Sequence, residues 1–158
     1  MLCMSKHFFY EYKEDLIKKL SKRYAAELAA VQEAYREKAM LDETEAHIRG
    51  YFRGIQAEMS DLIEASRGQI TYDEGDEIIL TLTIHRNYIR FVRTEKSIEV
   101  KIGTYNAAED LVESVIVGYI VPGEKACKIK KLGKIHEGGT FDDNTLNSYL
   151  RDAFGHLE

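Results

Sequence analysis

Large apolar residues recur every three or four positions in two series within the first 67 residues. The first series comprises Phe8, Tyr12, Leu16, Leu20, Tyr24, Leu28, Val31 and Tyr35. The second series comprises Ile48, Phe52, Ile55, Met59, Leu62 and Ile63. Because an α-helix turns once in about 3.6 residues, each series lies along one side of a helix. The spacing therefore predicts two long amphipathic helices.

The boundary between these helices is predicted within the sequence MLDETEAH. Asp42 is followed three residues later by Glu45, which matches the capping box found at helix N-termini. Gly68 follows the second series, in the place of a helix C-terminal cap. We therefore predict a helical hairpin over about residues 5–67, with one continuous helix as the alternative.

Beyond residue 76 the period changes, and apolar residues alternate with polar ones as they do in β-strands. The segments that show this pattern are EIILTLTIH, YIRFVR, IEVKIG, VIVGYIV and ACKIKKL. They predict a five-stranded antiparallel meander over about residues 77–133, in which residues 104–114 fit both a helical turn and a loop. A terminal helix is predicted over about residues 141–155. The fold class is therefore α+β, in one domain spanning residues 1–158.

Composition and charge restrict the partners that this chain is expected to have. The 158 residues are 44% hydrophobic and 31% charged, with a formal net charge of −5. An acidic chain lacks the surplus of Lys and Arg that neutralises phosphates, so nucleic acid is not the expected partner. No apolar run reaches the roughly 18 residues that span a bilayer, and no signal-peptide pattern is present. We therefore expect a cytoplasmic protein that does not bind membranes.

The cysteine and histidine spacings do not indicate a metal centre. Cys3 and Cys127 are the only cysteines and lie far apart in the sequence, so they form no paired zinc-ligand motif. The five histidines lack the spacing of a zinc hydrolase, and no phosphate-binding glycine motif or serine nucleophile motif is present. The sequence therefore predicts no metal and no cofactor, and it favours a protein without enzymatic activity.

One pair of residues has a catalytic interpretation. Glu99 and Lys101 form an E-x-K pattern on a predicted strand, as in metal-dependent nucleases. Such a site needs a second carboxylate near the metal, and the available acids are Asp76 and Glu77. The favoured interpretation is a solvent-facing pair, because the apolar residues of SIEVKIG alternate with it and would face the core.

A basic surface is predicted on the outer face of the sheet, although the chain as a whole is acidic. Its residues are Tyr88, Arg90, Lys128, Lys130, Lys131 and Lys134. An exposed tyrosine beside cations is able to stack a nucleic-acid base or to receive an acidic protein. The favoured alternative is that lysines on the last strand protect a sheet edge from pairing with other chains.

The first helix carries more aromatic and aliphatic surface than a five-stranded sheet needs for cover. The predicted interface residues are Phe8, Phe9, Tyr12, Leu16, Leu20 and Tyr24. Surplus apolar surface of this kind is typical of a binding interface. We therefore expect a non-enzymatic protein that binds another protein or a second copy of itself, in a regulatory, immunity-like or chaperone-like role. The alternative is that this helix packs along the second helix and the sheet.

Overall fold

The computed structural model describes the backbone of residues 2–106, 111–130 and 139–157, and the side chains of residues 12–106, 114–130 and 139–157. The helices are α1 (Leu2–Arg23), α2 (Ala25–Glu58), α3 (Ser60–Ala65) and α4 (Asp143–Phe154). The strands are β1 (Ile70–Glu74), β2 (Ile78–Ile84), β3 (Asn87–Arg93), β4 (Ile98–Tyr105), β5 (Leu111–Val121), β6 (Lys128–Lys130) and β7 (Gly139–Thr140). The predicted α+β class is confirmed, with a long helical region, an antiparallel sheet and a C-terminal helix.

The chain divides into two compact units, Met1–Arg36 and Glu37–Glu158. The first unit consists of α1, Tyr24 and the first part of α2, and the second contains the whole sheet. The sequence predicted a single domain, and that stays a prediction. Within the described residues, none of the helices is long and apolar enough to cross a membrane.

The predicted turn of the helical hairpin is wrong, because α2 is continuous through the sequence MLDETEAH. The carboxylates that suggested a capping box bind side chains instead. Asp42 contacts the amino group of Lys38 at 3.0 Å and the guanidinium of Arg93 at 3.0 Å. Glu45 contacts Arg49 at 3.6 Å and Arg93 at 3.5 Å. With neither proline nor glycine in this stretch, nothing interrupts the helix.

The seven strands form one antiparallel meander in the order β1-β2-β3-β4-β5-β6-β7. The five predicted strands correspond to β2 through β6, and β1 and β7 extend the sheet at its two edges. β1 was not predicted, because the alternation in its five residues, ITYDE, is too short to be recognised. These residues form a strand through their pairing with β2. In the ambiguous segment, β4 continues to Tyr105 and β5 begins at Leu111, so both ends are strand. Residues 107–110 lie outside the described residues.

One face of the sheet packs against α2 and α4 to form the core of the second unit. The alternation predicted for SIEVKIG is confirmed there, because Ile98 and Val100 are fully buried. From α2 the core receives Leu41, Ile48 and Phe52, and from α4 it receives Leu146, Tyr149 and Ala153. The ring of Phe52 lies 5.3 Å from that of Phe91 on β3, centre to centre.

The terminal helix begins with a complete capping box. Asp142 occupies the N-cap and accepts a hydrogen bond from the backbone N–H of Thr145 at 3.1 Å. The backbone N–H of Asp142 in turn donates to the Thr145 hydroxyl at 3.2 Å. These two bonds satisfy donors that a helix N-terminus otherwise leaves without partners. The helix therefore begins at Asp143, close to the predicted start.

Tyr149 of α4 has a buried hydroxyl whose ionisation is expected to destabilise the fold at alkaline pH. Its ring packs against Phe91, and its hydroxyl is buried with no hydrogen-bond partner among the described residues. Burial raises the pKa of Tyr149 to about 12, because the phenolate would lose its hydration. A raised folded-state pKa contributes stability below the unfolded pKa of about 10, and this contribution is lost as the pH rises toward 12.

We predict that Tyr149→Phe makes the free energy of unfolding less dependent on pH above about 10. Between pH 9 and about 12, the free energy of unfolding should fall by about 2–3 kcal/mol less in the variant than in the wild type, because the variant has no phenol to ionise at this position. Urea unfolding followed by circular dichroism at each pH measures this. The pKa of Tyr72 is also raised to about 12, so some pH dependence should remain. Identical profiles for the two proteins would contradict the prediction.

Candidate interaction surface

A continuous strip of large apolar side chains is exposed along the helical unit formed by residues 1–36. We call it the apolar stripe, and its members are Tyr12, Leu16, Leu20, Tyr24, Leu28, Val31 and Tyr35. Their exposed fractions range from 42% to 70%. Successive members are three or four residues apart, so they follow one side of the helix. Ile17 adds a further exposed side chain, at 53%, beside the stripe.

The helix that carries the stripe is regular through the junction of α1 and α2. The backbone N–H of Tyr24 donates to the carbonyl of Leu20 at 2.9 Å, and that of Leu28 donates to the carbonyl of Tyr24 at 2.8 Å. These are the four-residue bonds of an α-helix, so the turn at Tyr24 leaves the hydrogen-bond ladder intact. The stripe is therefore presented on one helical surface about 35 Å long, at about 1.5 Å per residue.

Ion pairs on the helix surface support this segment. Lys19 binds Asp15 at 3.1 Å, and Arg36 binds Glu33 at 2.7 Å. Pairs separated by three or four residues stabilise a helix slightly, because both charges stay hydrated. Leu, Ala, Lys and Glu, which all favour helix, make up much of the remaining sequence. These local interactions favour the helix, and they do not involve the side chains of the stripe.

Four of the six predicted interface residues belong to the stripe: Tyr12, Leu16, Leu20 and Tyr24. The backbones of Phe8 and Phe9 lie in α1, and their side chains are outside the described residues. The predicted interface omitted the second half of the stripe, from Leu28 to Tyr35. Its spacing was visible in the sequence, where these residues belong to the same series of apolar positions.

Glu99 and Lys101 lie on the sheet face opposite the core, where they bind each other at 3.6 Å. The proposed second carboxylates, Asp76 and Glu77, lie in the turn just before β2, and β3 separates that strand from β4. Among the described residues, no group of three or more His, Cys, Asp or Glu is placed to hold a metal ion. The nuclease hypothesis stays an untested prediction.

Arg90 is held in a fixed position on this outer face. Its Nε donates to the Thr81 hydroxyl at 3.0 Å, and its Nη2 donates to the Tyr105 hydroxyl at 2.9 Å. The guanidinium lines a cleft of about 570 Å³, together with Arg86 and Asp73. An arginine guanidinium has five N–H donors and is able to bind a carboxylate or a phosphate through two of them.

Tyr88 is buried, which corrects its prediction as an exposed base-stacking residue. Only 1% of it is exposed, because Tyr105 and Arg90 cover its ring. The ring centre of Tyr105 lies 4.9 Å away, and the Arg90 guanidinium carbon lies at the same distance. Alternation along a strand assigned Tyr88 to the correct face, but it does not report neighbouring side chains that lie over it.

The lysines of the predicted basic surface are only partly described. Lys128 and Lys130 are exposed on β6, whereas Lys131 and Lys134 lie outside the described residues.

Residues paired across neighbouring strands share a face of the sheet. One such row, from β3 to β6, consists of Val92, Glu99, Tyr119 and Lys130. Arg90 is two residues from Val92, so it shares this face with Lys130.

A second groove, of about 540 Å³, lies where α2 meets the start of α4. His47 binds Asp143 at 2.6 Å, and the buried Cys127 thiol accepts a hydrogen bond from the Thr44 hydroxyl at 3.1 Å. Burial raises the pKa of Cys127, which disfavours the nucleophilic thiolate. A cysteine, a histidine and an aspartate therefore line the same groove, but the thiol is not activated as a nucleophile.

Comparison with known proteins gives no relative for this chain. No family model matches the sequence, and neither a curated protein nor a solved structure matches it significantly. The geometry of the apolar stripe and of the Arg90 cleft is therefore the basis for assigning a function.

Proposed function

We propose that this is a non-enzymatic, cytoplasmic binding protein whose apolar stripe packs against a helix of a protein partner. The observation that carries this proposal is the exposure of seven large apolar side chains along one side of a single helix. Helices that bind partners use anchors with this spacing, three or four residues apart. A regulatory, immunity-like or chaperone-like role fits such a protein.

The energetics support an interface at the stripe. Burying one leucine or similar side chain is worth about 1.5–3 kcal/mol. Single exposed apolar residues are common on soluble proteins, but a contiguous row of them marks an interaction surface. Among the described residues, the core of the second unit comprises fifteen buried apolar residues of α2, α4, the sheet and one loop, all within residues 37–158. The stripe supplies none of these side chains, so a binding role is the simplest use for it.

Replacing Leu20 by glutamate should abolish binding through the stripe. The change puts a charge at the middle of the stripe, where partner contact would desolvate it. Ala29→Glu is the matched control, because nine residues at about 100° each place Ala29 on the opposite side of the helix. Affinity capture from the native host, using tagged versions of all three proteins, measures the effect. A second copy or another protein should be retained by the wild type and the control, and lost by Leu20→Glu.

Loss of the captured protein in both variants would show only that added charge weakens the helix. Equal capture by all three proteins would contradict the proposal, because the stripe would then be unnecessary for binding. Helix content by circular dichroism should be the same in the two glutamate variants, since the new residue and its distance from the helix ends are similar.

The outer sheet face supports a second candidate function, the binding of single-stranded nucleic acid or a similar polyanion. The favouring observation is Arg90, which Thr81 and Tyr105 hold at the wall of a cleft, with Lys130 on the same face. The negative net charge opposes general binding to nucleic acid, so this candidate ranks second.

Arg90→Met should weaken oligonucleotide binding about 10-fold or more if the sheet face has this function. Fluorescence anisotropy with a labelled single-stranded oligonucleotide in low salt gives the dissociation constant. Lys96→Met is the control, since Lys96 is exposed in the turn between β3 and β4 and lies away from the cleft. An equal loss in both variants would indicate a nonspecific charge effect, and an absence of binding by the wild type would end this candidate.

A further inference from the structure

The apolar stripe has nearly the same order and spacing of residues when it is followed from either end. In sequence it is Tyr, Leu, Leu, Tyr, Leu, Val and Tyr, with Tyr24 at the centre. Aromatic residues occupy the two ends and the middle, and aliphatic residues occupy the positions between them. We propose that the partner helix is the stripe of a second copy of this chain, in an antiparallel dimer whose two-fold axis passes near Tyr24. This inference rests on the proposed function, because it identifies the occupant of the same surface.

An antiparallel pairing about Tyr24 matches every member of the stripe with a similar residue. Positions whose numbers sum to 47 or 48 face each other across the axis. The facing pairs are Tyr12 with Tyr35, Leu16 with Val31, Leu20 with Leu28, and Tyr24 with Tyr24. A two-fold interface requires one surface to be complementary to itself, which this order satisfies.

The order of residues in the apolar stripe does not by itself exclude a parallel dimer, in which each residue faces the same residue of the second copy. The charges distinguish the two orientations. Residues 12–23 carry five bases, Lys13, Lys18, Lys19, Lys22 and Arg23, and only two acids, Glu14 and Asp15. Residues 25–36 carry two acids, Glu27 and Glu33, and one base, Arg36. The first half of this helical segment therefore has a net charge of +3, and the second half has a net charge of −1.

A parallel dimer would bring the two basic halves together, which costs free energy through repulsion. An antiparallel dimer brings each basic half against the more acidic half of the other copy, and it also opposes the helix dipoles. Charge complementarity thus favours the same orientation as the apolar order. Charge complementarity therefore also favours a second copy of this chain as the partner, since one chain carries both the basic and the more acidic half.

Distances between spin labels on the full-length protein test the orientation. Cys3 and Cys127 are first replaced by serine, and single cysteines are introduced as Glu14→Cys, Ala25→Cys or Gln32→Cys. All three positions are exposed and lie on one side of the helix, away from the centre of the stripe. In the antiparallel dimer the two labels at residue 14 should be about 20 Å farther apart than those at residue 25. In a parallel dimer the separations would be equal at all three positions, and the inference would be overturned.

Size-exclusion chromatography with light scattering tests the dimer itself. The wild type and Ala29→Glu should have twice the chain mass of 18.2 kDa. Leu20→Glu should be monomeric at the same concentration, because the symmetry places two copies of the change in one interface. Its dimer dissociation constant should rise by about 100-fold or more.

A monomeric wild type would overturn this inference, and the capture experiment would then decide the proposed function. If capture still depends on Leu20, the stripe binds a different protein, and only the identity of the occupant was wrong. If it does not, both the inference and the proposed function fail. A trimer or larger assembly would also overturn the antiparallel dimer, since its stoichiometry excludes a single two-fold pair.

Discussion

Phe52→Ala is expected to lower the free energy of unfolding by about 3–5 kcal/mol, because it removes a large ring from the centre of the core. Only 1% of Phe52 is exposed, and its ring packs against Tyr51 at 5.4 Å and Phe91 at 5.3 Å, centre to centre. Phe91 in turn contacts Tyr149 of α4. The ring is therefore part of a chain of aromatic contacts that joins α2, the sheet and α4.

Removing the ring leaves a cavity between elements that are far apart in sequence, and the fixed sheet cannot collapse to fill it. Urea unfolding followed by circular dichroism measures the loss. Leu62→Ala is the control, because Leu62 is a large apolar residue of α3 with 59% of its surface exposed. Its loss should stay below about 1 kcal/mol, as is usual for surface positions. Similar losses for the two variants would contradict the assignment of Phe52 to the core.

Arg49→Met is expected to lower the free energy of unfolding by about 2–4 kcal/mol, because this side chain joins α2 to β1, to β2 and to the turn between them. Its guanidinium donates to the backbone carbonyl of Gly75 at 2.7 Å and to that of Ile79 at 3.0 Å. It also binds the Glu74 carboxylate at 3.2 Å and Glu45 at 3.6 Å. Only 20% of the Arg49 side chain is exposed. Methionine keeps most of the apolar stem, so the loss reports the hydrogen bonds left without a donor.

Arg53→Met provides a matched control for Arg49, one turn farther along the same helix. Arg53 also binds Glu74, at 3.0 Å, and its hydrogen bond is the main reason that the pKa of Glu74 is lowered. However, 61% of the Arg53 side chain is exposed, so water screens the pair and its contribution to stability is small. We expect a much smaller loss for Arg53→Met than for Arg49→Met in the same unfolding experiment. Equal losses would mean that the Glu74 ion pair, and not the two backbone carbonyls, accounts for the effect of Arg49.

Elements whose side chains repeat with a clear period could be predicted from the sequence alone. The period of about 3.6 residues identified the helical region, and the alternation in segments such as SIEVKIG gave five strands and their inward faces. The terminal helix was equally clear, because its apolar residues and its N-terminal aspartates act within one local segment. Local patterns suffice where the backbone and its nearest neighbours decide the conformation.

Features that depend on residues distant in sequence could not be predicted, because they follow from how the chain packs. Asp42 and Glu45 have the spacing of a capping box, but Arg93, about fifty residues away, binds both within a continuous helix. Tyr88 lies on the predicted outer face, and it is buried because Tyr105 and Arg90 cover it. The stripe was visible as a period, but the sequence did not show whether a second helix covers it. Periodicity gives the direction of a side chain, and only the assembled chain shows what lies in that direction.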